Sequence, residues 1–149
     1  VPASRLTEEA FKILNSGYSA SMFKEMRRFG LLKYLLPGVD SLCGQNGYES
    51  TLCTRLGELD QLRAELGAVD RGDALAALCG DYLLNHSEFA GQRRIPFREA
   101  YFDIKMWIQP VTPANRDVES AISRIFRSKK HISQGRAMFA NKNGHPVAG

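Results

Sequence analysis

Apolar residues recur at helical spacing along the chain, with no strand-like alternation to compete. Leu6, Ala10, Ile13 and Leu14 share one face of a predicted helix from about Arg5 to Asn15; Ser4 is its expected cap and Gly17 its end. Met22, Phe23, Met26 and Phe29 predict a second helix from about Ser19, stopped by Gly30, with these four side chains in the core. A short third helix, Leu31–Leu36, is expected to end at Pro37-Gly38, and Gly44 and Asn46-Gly47 mark residues 39–47 as a loop. Leu52, Leu56, Leu59, Leu62 and Leu66 form one stripe on a longer helix. Asp73 is the expected cap of the next, which carries Leu75, Leu78, Cys79, Tyr82 and Leu83. After a polar loop over 85–98, Ala100, Tyr101, Ile104 and Trp107 predict a helix that Pro110 and Pro113 break. Val118, Ala121, Ile122, Ile125 and Phe126 predict a last helix opening at Thr112 or Asn115. The fold expected is all-α, a compact bundle of six or seven helices with a basic C-terminal end. Residues 1–115 would form the helical body, and 116–149 a last helix and basic tail packed on the same domain.

Composition agrees with a globular chain: 149 residues, 44% hydrophobic and 24% charged. The longest apolar run, Ala74–Cys79, falls far short of the roughly 20 residues that span a bilayer. Val1-Pro2-Ala3-Ser4-Arg5 lacks the order of a signal peptide, so the expected location is cytoplasmic, without membrane contact. The chain lacks an initiator Met, so it is expected to be either processed or a piece of something longer, the second being favoured because a helix-start signal follows almost at once. Cys43, Cys53 and Cys79 have no metal-finger spacing and read as buried or partly buried thiols of a reducing compartment. His86, His131 and His145 form no recognised motif, and no metal or cofactor site is expected in this chain.

The net charge of +4 changes the picture because it is uneven. Residues 1–115 hold 13 basic and 14 acidic side chains, whereas 116–149 hold 7 basic and 2 acidic. Arg116, Arg124 and Arg127 fall along one face of the last predicted helix, with Lys129, Lys130 and Arg136 beyond them. Cations on a rail, held down by an apolar opposite face, suit contact with phosphates. The competing reading is a solvated helix end, where the macrodipole favours Lys and Arg anyway. A second cluster, Arg93-Arg94 with Arg98, lies beside Phe97 and Tyr101; such rings stack on unpaired bases or pack inward. Arg27-Arg28 is a weaker signal. No GxSxG, P-loop, GxGxxG or metal-binding aspartate pair is present, so no residue is assigned a catalytic role.

Ser4-Arg5-Leu6-Thr7-Glu8-Glu9-Ala10-Phe11-Lys12-Ile13-Leu14, then Gly17-Tyr18, Met22-Phe23-Lys24-Glu25-Met26 and Gly30-Leu31-Leu32-Lys33-Tyr34-Leu35-Leu36-Pro37, carry a family likeness. This block resembles the neck-to-body helices of bacterial poly(A) polymerases and the related tRNA nucleotidyltransferases that add CCA ends. Residues 93–131 look more loosely like the RNA-binding region and the start of the basic tail of the poly(A) branch. The resemblance implies a parent enzyme that uses ATP and Mg2+ to add nucleotides to RNA 3′ ends. This chain would be its non-catalytic RNA-binding fragment, because the family's Gly-Ser motif and aspartate pair lie upstream of the matching block. Arg116, Arg124, Arg127, Lys129, Lys130, Arg136, Arg93 and Arg94 are then the expected RNA contacts. The rival expectation is a helical protein-protein interaction module whose basic surface meets an acidic partner; oligomeric state stays open.

Overall fold

The longest apolar run of the sequence lies at the centre of the molecule, where every residue from Ala74 to Gly80 is buried. Small side chains suit such a helix, since neighbours must approach it from all sides. The computed structural model describes residues 1–133, with side chains as far as Lys129. Among them are eight α-helices and no strand. These are α1 (Ala3–Leu14), α2 (Ser19–Arg28), α3 (Leu32–Leu35), α4 (Pro37–Leu42), α5 (Tyr48–Leu66), α6 (Arg71–Asp81), α7 (Phe97–Trp107) and α8 (Asn115–Ser133). A π turn over Tyr82–His86 continues α6. Helix α6 packs chiefly on α8 and α5, α2 lies on α5, and α7 lies on α8.

The all-α body is as expected, with more helices than the six or seven read from periodicity. The additional one is α4. Pro37 does not simply stop a helix; it occupies the first turn of a new one, where its missing N–H costs nothing and its fixed φ is already helical. Gly38 is required there by close packing, because a Cβ would sit 2.6 Å from the Trp107 carbonyl oxygen and 2.7 Å from its indole Nε1. Two predicted caps also differ. Helix α1 begins one residue before Ser4, with Pro2 at the cap and no side-chain bond. Helix α6 is capped by Asp70, whose carboxylate accepts from the Asp73 N–H at 2.8 Å.

The α5 stripe is buried at Leu52, Leu56, Leu59 and Leu62, while Leu66 emerges at the helix end. Asp60, also on α5, caps α2 from outside: it accepts from Ser19 N, Ser19 Oγ and Ala20 N at 2.8, 2.7 and 3.1 Å. A carboxylate thus meets the free N–H groups and positive dipole end of a helix from another element. Thr7 on α1 similarly accepts from Thr112 N at 2.7 Å, joining the first helix to the segment before α8. Trp107 stacks parallel on Tyr82 at 3.9 Å, locking the end of α7 to the π turn. Of the four apolar side chains expected in the core here, Phe23 is buried and Met26 partly so, while Met22 and Phe29 face outward. No helix of the described residues is long and apolar enough to cross a membrane.

Candidate nucleic-acid interface

Helix α8 buries Val118, Ala121, Ile122 and Ile125 against α6, and this fixes which of its cations face solvent. Arg116 and Arg127 are exposed. Arg124 is not a free cation: it grips Asp70 through both of its terminal nitrogens, with Nη2–Oδ2 at 3.0 Å, and reaches Asp73 at 3.1 Å. Gly72 makes room for this clamp, since a Cβ there would lie 2.8 Å from Ser120 Oγ and against the guanidinium. Burial alone would raise the Asp70 carboxyl, but the Arg124 and backbone N–H bonds outweigh it and hold it below the usual range. Asp73 goes the other way: its desolvation exceeds what Arg124 recovers, so its carboxyl is raised.

Lys129 is also engaged, donating to the carbonyl oxygens of Gln92 at 2.8 Å and Arg93 at 3.3 Å. The predicted contacts therefore divide. Arg116, Arg127, Arg93 and Arg94 are exposed; Arg124 and Lys129 hold the protein to itself. Lys130 lies on α8 but its side chain, like all of Arg136, falls outside the described residues. The fold nevertheless unites two clusters distant in sequence. Lys129 ties the loop carrying Arg93 and Arg94 to α8, and Phe97 packs edge-on against Phe126 at 6.2 Å while remaining 41% exposed. On the outer side of α7, Arg98 lies over Phe102 and Lys105 over Tyr101.

A second surface escaped the sequence reading. Tyr18, Phe29, Leu31 and Tyr34 are all more than half exposed around α2 and α3. Two of these rings carry a neighbouring cation over their faces: Arg28 above Phe29 at 5.5 Å and Lys33 above Tyr34 at 5.2 Å. Lys24, Arg27, Arg28 and Lys33 line one shallow groove of about 590 Å³, with Asp40 and Glu49 as its acidic members. Arg27 is neutralised by Glu49 at 2.7 Å, and Arg28 is only loosely paired with Glu25 at 3.8 Å, where both are exposed. Spacing alone does not mark this surface, because Met22, Phe23, Met26 and Phe29 keep helical periodicity and only the neighbours decide which of them is covered.

The remaining chemistry is quiet. The Cys43 thiol is pushed up to about 11, chiefly by burial, and burial likewise raises Cys53 and Cys79. Asp70 and Asp73, a carboxylate pair that does converge, have a guanidinium between them and do not suit a magnesium ion. Tyr82 donates a hydrogen bond to Asp103 beside the Trp107 stack, a structural tie between the π turn and α7. Among known proteins, residues 1–43 match the family described as the probable RNA and SrmB-binding site of polymerase A. No curated protein and no solved structure matches the chain. The matched segment includes α1–α3 and hence the exposed rings and cations of the α2–α3 surface.

Proposed function

We propose that this chain is the non-catalytic RNA-binding part of an enzyme that adds nucleotides, poly(A) or CCA, to RNA 3′ ends, a reading supported by the match of residues 1–43 to the family described as the probable RNA and SrmB-binding site of polymerase A. ATP and Mg2+ belong in this reading to the enzyme's catalytic part, as the family resemblance implies. The observation that carries the reading is the coincidence of the family segment with an exposed ring-and-cation surface on α2–α3. Rings such as Phe29 and Tyr34 offer stacking platforms to unpaired bases, and Lys24, Arg28 and Lys33 offer charge to the phosphates between them. In this reading Arg116, Arg127, Arg93 and Arg94, all exposed, supply further phosphate contacts on the α7–α8 side.

The test is a filter-binding titration of the chain with single-stranded RNA against an acidic polypeptide of equal charge density. RNA is expected to bind more tightly, with a salt slope reporting several displaced counterions. Equal binding of the two polymers would favour a protein-interaction module with a basic surface. Charge reversal at Arg116 and Arg127, the exposed cations of α8, is expected to weaken RNA binding at low salt; unchanged affinity would remove α8 from the interface.

A further inference from the structure

Helix α7 is apolar on two sides. Ala100 and Ile104 are buried on its inward face. Phe102 and Met106 stand two positions on from these, about 200° around the helix. They are 51% and 74% exposed. The inward residues already hold α7 to the body, so the outer pair is free to meet something else, as exposed apolar surface on one face commonly does.

The charge around this face decides its occupant. Arg98, one turn before Phe102, is exposed and pairs with no carboxylate among the described residues. It lies over the Phe102 ring at 5.6 Å. Lys105 lies over Tyr101 at 5.3 Å and donates to the neutral Asn115 side chain at 2.8 Å, which leaves its charge uncompensated. Arg93 and Arg94 are exposed on the loop that leads into the helix. Of the two acids of α7, Asp103 is bonded to Tyr82, and Glu99 stands exposed. Cations beside flat rings suit a polyanion with planar groups, and a planar guanidinium over a ring adds a further surface for a base. The same ring-and-cation unit occurs at Phe29 with Arg28 and at Tyr34 with Lys33.

The fold also brings the two surfaces near one another. Gly38, four residues beyond Tyr34, packs so tightly on Trp107 that a Cβ would meet its carbonyl oxygen at 2.6 Å. Met106 is the residue before Trp107. Four residues of chain reach at most about 14 Å, so a short strand can touch Tyr34 and Met106 together. We infer that the outer face of α7 is a second stacking platform for unpaired RNA bases, centred on Phe102, and that one strand engages it together with α2–α3. The inference rests on the RNA-binding reading and adds a surface to it.

The experiment titrates the full chain into labelled dodeca-uridylate and into an RNA duplex of the same length, followed by fluorescence anisotropy. Phe102→Ala is expected to weaken single-strand binding about fivefold or more, the lower end for one stacked base. Duplex binding and the melting temperature should stay unchanged, because paired bases are already stacked and the side chain is exposed. Phe102→Tyr keeps the ring and should bind as the unaltered chain does. Arg98→Ala should lower the single-strand salt slope by about 0.7, the value for one phosphate contact. At saturation one strand per chain is expected; two would overturn the shared path. Unchanged affinity in Phe102→Ala, with Phe29→Ala and Tyr34→Ala still weakening RNA, overturns the α7 platform and leaves the RNA-binding reading intact. An unaltered chain that binds neither RNA overturns both. Self-association that Phe102→Ala abolishes while RNA affinity stays the same also overturns the platform, making this face a contact between copies of the chain.

Discussion

The α8 face and the α2–α3 surface both concentrate cations, yet they hold them differently. On α8 the charges nearest the core are spent internally: Arg124 clamps Asp70 and Asp73, and Lys129 holds loop carbonyls. On α2–α3 the cations sit beside exposed rings, and only Arg27 has a close ion pair. The difference teaches that local cation density measures opportunity, whereas availability depends on which acids the fold brings within reach. It also separates two roles that look alike in sequence, a tether and a ligand contact.

The comparison can be broken most directly at the rings. Phe29→Ala and Tyr34→Ala are each expected to weaken single-stranded RNA binding by about 1–3 kcal/mol, the usual worth of a stacked base. Because both side chains are exposed, thermal stability should stay unchanged; unchanged RNA affinity would take α2–α3 out of the interface. Arg124→Ala should have the opposite signature. A loss of about 1–2 kcal/mol in denaturant stability is expected, since two carboxylates are left without their cation. RNA affinity should change little as long as the protein remains folded.

A smaller effect sharpens the same point through pH. Asn caps a helix about as well as Asp, so Asp70→Asn isolates the charge from the cap. The carboxyl of Asp70 is lowered in the folded state, so its ionic contribution is complete above the ordinary carboxylate value and fades as pH falls through the folded one. The variant should therefore be less stable than wild type at neutral pH by about 1 kcal/mol or less, since the pair is solvent-screened. That deficit should disappear in strong acid, which paired melting curves would show. Asp73, with its raised carboxyl, contributes in the opposite sense and is present in both proteins. The smallest effects belong to the exposed α8 cations. Arg116→Ala and Arg127→Ala should each lower the salt slope of RNA binding by about 0.7, the value for one single-strand phosphate contact. A larger drop for Arg124→Ala than for Arg127→Ala would reverse the division between tether and contact.

Much of the architecture is legible because its determinants are local. The α8 core face was readable at Val118, Ala121, Ile122 and Ile125, and the α5 stripe at four of its five leucines. Pro37 was misread because a proline that ends one helix is also well suited to begin another, and the choice depends on Gly38 fitting against Trp107. Met22 and Phe29 were misread because periodicity cannot say how wide a face the neighbours will cover. The site was less legible than the fold. Arg116, Arg127, Arg93 and Arg94 are exposed, but the ring surface on α2–α3 was not anticipated.

By itself the sequence determined the all-helical class, the approximate course of most helices, and the family likeness of its first block. Each depends on spacing or motif within a few turns of chain. Only the tertiary structure decided which charges are free. Asp70 and Arg124 are 54 positions apart, and Gln92 and Lys129 are 37 apart. A cation's partners are set by distance in space, which falls off too steeply for sequence spacing to stand in for it.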